Sequence, residues 1–165
     1  RGTARGRRGL TLEKVCVFTG HRFVPAQERA RLQRRLIDTV ESLYADGYRT
    51  FCAGGALGFD RMAADTVLAL KQRYPDLRLL LMVPCRDQAA RWRAEDRTVY
   101  ERQLRDADEV RVLSEHYYDG CMRERNRRMI DLADCCVASV TSPHSGSAQT
   151  MRMAQTRNIP VVKLA

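Results

Sequence analysis

The sequence predicts an α/β domain with a mostly parallel sheet of about five to six strands and helices on both faces. Short apolar runs of strand length alternate with longer segments whose apolar residues recur at helical spacing. Several short runs are apolar without a break, as strands buried on both faces are. Because right-handed crossovers leave few other topologies for such strict alternation, we expect one parallel sheet. The 165 residues, of which 44% are hydrophobic, suffice for a single compact domain.

Six segments are predicted as strands because they are short and mostly apolar. They are residues 15–19, 50–52, 78–83, 109–113, 135–140 and 161–164. Five of the six cysteines lie in or beside these segments, and none forms a Cys-x-x-Cys pair with zinc spacing. We therefore expect buried free thiols of the kind that persist in a reducing compartment. Cys121 falls outside the strands, and nothing in the sequence places a base beside it.

Helices are predicted for the intervals between the strands. The first begins with Pro25 in its opening turn, carries one apolar stripe, and ends at Gly47, a typical C-terminal cap. The second runs over residues 57–74 and is ended by Pro75. The remaining three lie within residues 87–107, within residues 119–133, and over residues 147–157.

The positive charge of the chain is concentrated at its start. The net charge is +9, and Arg1, Arg5, Arg7 and Arg8 all lie in a Gly-rich opening segment without apolar periodicity. We interpret residues 1–12 as a disordered basic tail and residues 13–165 as the folded domain. Nucleic acid is expected to bind through this tail only.

The sequence also limits where the protein acts. No apolar stretch reaches the roughly 20 residues that a membrane-spanning helix needs. The basic opening residues are not followed by the apolar region of a signal peptide. We therefore expect a cytoplasmic protein without membrane contact.

Candidate binding residues concentrate in the loops that follow the strands. Ligands of an open parallel sheet bind outside the carboxyl ends of its strands. The loop after the first strand contains Gly20, His21 and Arg22, whose guanidinium is suited to phosphate. Arg125 and Asn126 occupy polar slots on the apolar face of the fourth helix, and we expect both to reach this edge.

Two glycine-bearing turns each follow a strand and open a helix. The residues predicted to bind there are Gly54, Gly55, Gly58 and Asp60 in the first turn and Ser145, Gly146 and Ser147 in the second. A helix N-terminus presents unpaired N–H groups and a positive dipole end, and glycine lets an anion approach them. The turns therefore predict a phosphate-bearing ligand. Their glycine spacing and their place after the second strand exclude the standard NAD fingerprint.

Several of these assignments leave a structural alternative open. Gly54 and Gly55 could serve only to allow a tight strand-to-helix turn. Asp60 could stabilise the helix N-terminus through its dipole, and Arg125 could extend along the sheet edge to reach solvent. Gln88, Trp92 and Tyr100 line a base-stacking wall or are the core face of an amphipathic helix. The three histidines, His21, His116 and His144, all lie in loops at the carboxyl edge, but without carboxylates at ligand spacing. We expect no metal there.

These motifs together resemble the YpsA-like branch of the SLOG superfamily. The resemblance extends from Val15 to the end of the chain and rests on residues 19–22, residues 54–60, Pro84 with Gln88 and Trp92, Met122 with Arg125, Asn126 and Met129, and residues 145–147. It implies a Rossmann-like fold and a nucleotide or a nucleotide-derived ligand. The superfamily includes the Lonely-guy phosphoribohydrolases and the DprA/Smf DNA-processing proteins, so the resemblance does not settle the activity.

The stretch that corresponds to the Lonely-guy motif departs from it. The motif Pro-Gly-Gly-x-Gly-Thr-x-x-Glu ends in a catalytic Glu, whereas the corresponding residues 143–150 contain no Glu, and Thr150 cannot act as a carboxylate. We therefore favour a protein that binds a nucleotide or nucleotide-derived phosphate ligand over an N-glycoside hydrolase acting on nucleoside monophosphates. A DprA-like DNA-binding module is the third hypothesis, disfavoured because much of the excess charge lies in the tail. No cofactor is expected, and homo-oligomerisation is left open.

Overall fold

The computed structural model of the chain describes residues 13–165, so the predicted basic tail lies outside the described part. Residues 13–165 form six strands and five helices in alternation. The strands are β1 (Val15–Gly20), β2 (Thr50–Ala53), β3 (Arg78–Val83), β4 (Glu109–Val112), β5 (Cys135–Ser139) and β6 (Val161–Lys163). The helices are α1 (Ala26–Ala45), α2 (Phe59–Leu70), α3 (Ala94–Asp106), α4 (Cys121–Leu132) and α5 (Gly146–Thr156).

The six strands form one parallel sheet in the order β4-β3-β2-β1-β5-β6. Val17 of β1 pairs with Cys52 of β2 on one side and with Cys136 of β5 on the other. The chain builds the sheet outward from β1 in one direction through β4 and then returns to add β5 and β6 in the other. The predicted Rossmann-like α/β fold is confirmed, and its strand order reverses between β1 and β5.

Helices cover both faces of the sheet. Alternate strand residues point to opposite faces, so Phe18 packs under α1 and α2 while Val17 packs under α4 and α5. The first face holds the largest buried side chains, with Phe18 stacked on Phe51 at 5.9 Å between ring centroids and meeting the Phe59 ring edge-on at 6.2 Å. Burying each such ring contributes roughly 1.5–3 kcal/mol. The β1 strand is therefore fixed from both sides, which positions the loop that follows it.

The helix ends differ most from their predictions at the second helix, whereas both ends of α5 lie within one residue of the predicted 147–157. α1 ends as predicted: Gly47 has φ of +98°, and the Tyr48 N–H bonds the Leu43 carbonyl at 3.0 Å. The second helix is shorter than the predicted 57–74. Gly58, with φ of +74°, precedes its start, and after Leu70 the chain tightens into turns before Pro75.

All six cysteines are free and buried, which confirms the expected buried thiols and includes Cys121 at the start of α4. Burial raises the pKa of Cys52 and of Cys136 to about 12, so both thiols stay protonated at neutral pH. None of the helices in residues 13–165 combines the length and apolar character required to span a bilayer.

Candidate functional site

A cleft of about 280 Å³ lies between the carboxyl ends of β1 and β5, where the strand order reverses. Its walls come from the loop after β1, the first turn of α2, one face of α4, and the N-terminus of α5. The structure brings nine of the twelve predicted site residues to this cleft: Gly20, His21, Arg22, Asp60, Arg125, Asn126, Ser145, Gly146 and Ser147. It is the position in which open parallel sheets bind their ligands.

His21 ties the loop after β1 to the loop after β5. Its Nε2 accepts hydrogen bonds from the backbone N–H of Thr141 at 2.8 Å and of Ser142 at 3.3 Å. A ring nitrogen that accepts cannot carry the proton, so geometry assigns the proton to Nδ1. Nδ1 lies 3.2 Å from Ser147 Oγ and donates to it. The imidazole therefore holds the start of α5 in place against β1.

Two serines complete the N-terminus of α5. Ser145 is the N-cap: its Oγ accepts from the Ala148 N–H at 3.0 Å and donates to the Ser142 carbonyl at 3.0 Å. Ser147 Oγ, 3.1 Å away, donates to the Ser145 hydroxyl. Both hydroxyls are thus committed within the protein. The groups of α5 that remain for a ligand are therefore backbone N–H groups of its first turn.

Gly146 leaves that backbone open. It is exposed, and a Cβ built on it meets none of the described atoms within 4 Å. The N–H groups of the first helical turn have no intrahelical acceptor, and the helix dipole places partial positive charge there. This end of the cleft is therefore suited to a phosphate or carboxylate.

Arg125 forms the buried wall of the cleft. The residue is 5% exposed; its Nη1 donates to the Gly54 carbonyl at 2.5 Å and its Nε donates to Asn126 Oδ1 at 2.7 Å. Burial lowers the pKa of Arg125, an effect that the nearby Asp60 carboxylate opposes. The acceptor that Nη2 meets within residues 13–165 is the Met122 sulfur, at 3.9 Å, a weak acceptor that a ligand oxygen could replace.

The first glycine turn closes on a protein carboxylate. Asp60 Oδ2 accepts from the Ala56 N–H at 3.4 Å, and the Gly54 N–H also stabilises this carboxylate and acts to lower the pKa of Asp60. A Cβ on Gly54 would lie 2.5 Å from Arg125 Nη1 and 2.8 Å from Asp60 Oδ2, so glycine is required between them. Burial raises the pKa of Asp60, while Arg125 and the two N–H groups act in the opposite direction. The anion that these N–H groups meet is therefore Asp60.

Three predicted residues do not line the cleft: Gly54, Gly55 and Gly58. A Cβ on Gly55 would approach Tyr100 at 3.2 Å, on the far side of the turn. A Cβ on Gly58 would lie 2.2 Å from the Arg22 carbonyl oxygen, so Gly58 permits close packing of α2 under the β1 loop. These glycines therefore allow a tight turn and close packing behind the cleft. This is the structural alternative that the sequence left open for Gly54 and Gly55.

Arg22 supplies an exposed cation at the rim. Its Nη2 lies 3.8 Å from the Met122 sulfur, so the guanidinium keeps donors for a ligand. With Arg125 below and the α5 N-terminus opposite, the cleft favours an anion although it contains Asp60.

Other residues that the sequence analysis singled out lie outside the cleft. Trp92 and Tyr100 pack edge-on at 5.2 Å between ring centroids, and Gln88 Nε2 donates to the Gly55 carbonyl at 3.3 Å, so they support the back of the glycine turn. His116 and His144 are exposed and do not join His21 in the cleft. Within residues 13–165, no group of three or more His, Cys, Asp or Glu residues could hold a metal ion.

Some lining residues were not among the predicted set: Phe18, Thr19, Ala56, Met122 and Met129. Helical spacing gives the signal for the two methionines, because Met122 and Met129 lie three residues before and four residues after Arg125 on α4.

Comparison with known proteins gives a family and a fold. The sequence model of the YspA SLOG family matches residues 17–159. A UPF0398 protein of Bacillus pumilus (strain SAFR-032) is 31% identical over 125 residues, covering 74% of this chain and 65% of the relative. The SPbeta prophage-derived protein YoqJ of Bacillus subtilis (strain 168) is 29% identical over 139 residues, covering 76% and 81%. The chain thus spans less than two thirds of the length of that UPF0398 relative.

Two solved structures share the architecture. DNA processing protein A from Helicobacter pylori, described in its single-stranded DNA binding mode, has a TM-score of 0.65 and 21% identity over 91% of this chain and 64% of that chain. DprA from Streptococcus pneumoniae has a TM-score of 0.65 and 19% identity over 92% and 50%. At this identity the likeness shows the fold.

Proposed function

The chain belongs to the YspA SLOG family, and we propose that its cleft binds a nucleotide or a nucleotide-derived phosphate ligand. One observation carries the proposal: the open N-terminus of α5, exposed Arg22 and buried Arg125 converge on a single cleft at the point where the strand order reverses. Backbone N–H groups, a helix dipole and two guanidinium groups are a typical phosphate environment.

The remaining polar groups suit the sugar and base of such a ligand. Asn126 Oδ1 is taken by Arg125, which leaves its amide N–H₂ to donate to a ligand. The buried Asp60 carboxylate lines the same space and can accept from a ribose hydroxyl. A volume of about 280 Å³ is at the lower end of ligand pockets and leaves room for about one nucleotide.

We also place this function in the cytoplasm. Six buried free thiols are typical of a protein in a reducing compartment. The binding role takes precedence over an enzymatic one because residues 143–150, which correspond to the phosphoribohydrolase motif, contain no Glu.

A charge placed at Gly146 tests the proposal. Gly146→Asp puts a carboxylate where the phosphate would approach, and Gly146→Asn is its neutral, nearly isosteric control. Both variants should fold, because a Cβ there is unobstructed and an acidic residue favours the first turn of a helix. Isothermal titration of AMP, GMP, CMP, UMP and inorganic phosphate is the measurement.

We expect at least one nucleotide to bind the unmodified protein, the Asp variant to lose about 10- to 100-fold in affinity, and the Asn variant to lose little. If the Asp variant bound that nucleotide like the unmodified protein, the phosphate would not lie at α5. If none of the five compounds bound, the proposed nucleotide function would be wrong.

Single-stranded DNA binding is the second candidate. It is favoured by the structural neighbours, which are DNA processing proteins, and by three exposed aromatic residues in loops that follow β1 and β4: Phe23, Tyr117 and Tyr118. Bases stack on such side chains with little sequence preference. However, four of the excess positive charges belong to arginines before residue 13.

Truncation separates the two candidates. A chain that begins at Leu12 should lose most of its affinity for a dT20 oligonucleotide, and the slope of log affinity against log salt should fall by about 3 for four arginines. A truncated chain that binds dT20 as tightly as the full chain, with the same slope, would make single-stranded DNA the ligand of the folded domain. Gly146→Asp in that truncated chain then shows whether the DNA occupies the cleft.

A further inference from the structure

A second depression adjoins the cleft and shares a wall with it. It has a volume of about 470 Å³ and lies between the loop after β1, the first turns of α1, and the ends of β5 and β6. Val24, Leu32 and Leu164 form its buried apolar floor. His21 lines both spaces, so a ligand that leaves the cleft over the imidazole enters this groove directly.

Phe23 stands at the side of the groove with 75% of its surface exposed. It is the most exposed large hydrophobic side chain in residues 13–165; Tyr117, for comparison, is 58% exposed. Exposed apolar surface of this kind beside a binding cleft is typical of a contact surface. A flat aromatic face next to a phosphate site is suited to stacking by a nucleobase.

The charges on the rim are suited to a phosphate. Arg31 and Arg35 lie one turn apart on α1, and Glu28 is the acidic residue beside them. Arg31 is exposed, and Arg35 Nη2 lies 3.4 Å from the Lys163 carbonyl oxygen, a long contact. The rim therefore carries an excess of positive charge and guanidinium donors that protein acceptors leave largely available.

We propose that this groove is a second subsite, which takes a second nucleoside joined through phosphate to the nucleotide in the cleft. The inference rests on the proposed function and specifies its ligand as a dinucleotide or a longer strand. The second base stacks on Phe23, its sugar lies over the apolar floor, and the linking phosphate crosses His21 toward Arg31. Thr141 in the loop after β5 is exposed on the groove wall and offers a hydroxyl to the sugar or the base edge.

Titrations with AMP and with 5′-phosphorylated diadenylate (pApA) test this subsite. On the unmodified protein, pApA should bind at least tenfold more tightly than AMP. Phe23→Ala should weaken pApA binding between about fivefold and 150-fold, the effect of losing one stacked base. It should leave AMP binding within about twofold, and Phe23→Trp should restore pApA binding. Val110→Ala is the control on another exposed hydrophobic side chain, which lies on β4 and lines neither the cleft nor the groove, and it should change neither affinity.

The possible outcomes separate the inference from the proposed function. AMP binding with no gain for pApA, or a gain that Phe23→Ala leaves intact, would overturn the subsite and leave the cleft proposal standing. If the unmodified protein bound neither AMP nor any other compound of the five, both the subsite and the cleft proposal would be wrong. If Phe23→Ala instead converted an oligomer to a monomer in analytical ultracentrifugation, the groove would be an interface between copies of this chain. A dA12 oligonucleotide that binds much more tightly than pApA identifies a strand as the ligand, whereas equal affinities identify a dinucleotide.

Discussion

The Nη1 atom of Arg125 donates a 2.5 Å hydrogen bond to the carbonyl oxygen of Gly54. This bond joins α4 to the turn after β2, across 71 positions of the chain. On the other side of the same glycine lies the Asp60 carboxylate, which accepts a hydrogen bond from the Ala56 N–H of the turn. Gly54 is therefore held between a buried cation and a buried anion, and this arrangement forms the wall of the cleft.

Replacing Arg125 by Met should destabilise the fold. The substitution leaves the Gly54 carbonyl without its donor and the buried Asp60 without its counter-charge, a loss of about 3–5 kcal/mol in the free energy of unfolding. Urea denaturation measures it. Arg127→Ala, on the exposed face of α4, is the control and should change stability by about 0.5 kcal/mol or less. A Met variant as stable as the Arg127→Ala variant would show that the bond to Gly54 contributes little.

Asp60 should make stability depend on pH. Burial raises the pKa of Asp60 in the folded protein, so the native state holds its proton more tightly than the unfolded chain does. The resulting stabilisation is fully present below about pH 3.9, the ordinary Asp pKa, and is lost as pH rises through the folded pKa. Asp60→Asn is neutral throughout this range.

The free energy of unfolding of the Asp60→Asn variant should therefore rise relative to that of the unmodified protein as the pH increases above about 4. Urea titrations of both proteins at several pH values give this difference, in which the other titrating groups cancel. A difference that stayed constant, or fell, would show that Arg125 and the backbone N–H groups outweigh burial at Asp60.

The fold could be predicted from local sequence because its signals are local. Buried parallel strands are continuous apolar runs, and Gly47 adopts the left-handed conformation that ends α1. The placement of Arg125 and Asn126 at the cleft also followed from helical spacing alone. These patterns require no knowledge of distant parts of the chain.

The different roles of the two glycine turns could not be predicted: the first turn meets the Asp60 carboxylate, and the second leaves its backbone open to the cleft. Whether the N–H groups of a turn meet a ligand or a protein carboxylate depends on the side-chain conformation of Asp60, which Arg125 helps to hold from another element. Likewise, His21 bonds residues 120 and more positions away, and no local pattern marks such a bond. The groove beside Phe23 exists only because the end of β6 comes to lie near α1.

His21→Ala should affect both stability and binding. It removes the acceptor of the Thr141 and Ser142 N–H groups and the donor to Ser147 Oγ. We expect a loss of about 1–3 kcal/mol in the free energy of unfolding. Nucleotide affinity should fall as well, because α5 is no longer held against β1.

His144→Ala is the control, since His144 is exposed in the loop before α5 and does not line the cleft. Thermal unfolding and titration calorimetry on both variants separate the roles. A His21 variant that lost nucleotide affinity at unchanged stability would indicate that the imidazole contacts the ligand directly.

Incubation with AMP should release no adenine above the uncatalysed rate. Glycoside cleavage passes through an oxocarbenium-like state that a free carboxylate must assist. Residues 143–150, which correspond to the phosphoribohydrolase motif, contain no Glu, and the Oγ1 of Thr150 donates to the Gly146 carbonyl at 3.0 Å, inside its own helix. Glu124 pairs with Arg127 and Arg128 on the exposed side of α4. Asp60 is thus the carboxylate that lines the cleft, and it already accepts a backbone hydrogen bond from the turn after β2.

Chromatographic detection of adenine, with Asp60→Asn run in parallel, decides the question. Turnover that disappeared in this variant would make the protein a hydrolase and Asp60 its catalytic residue.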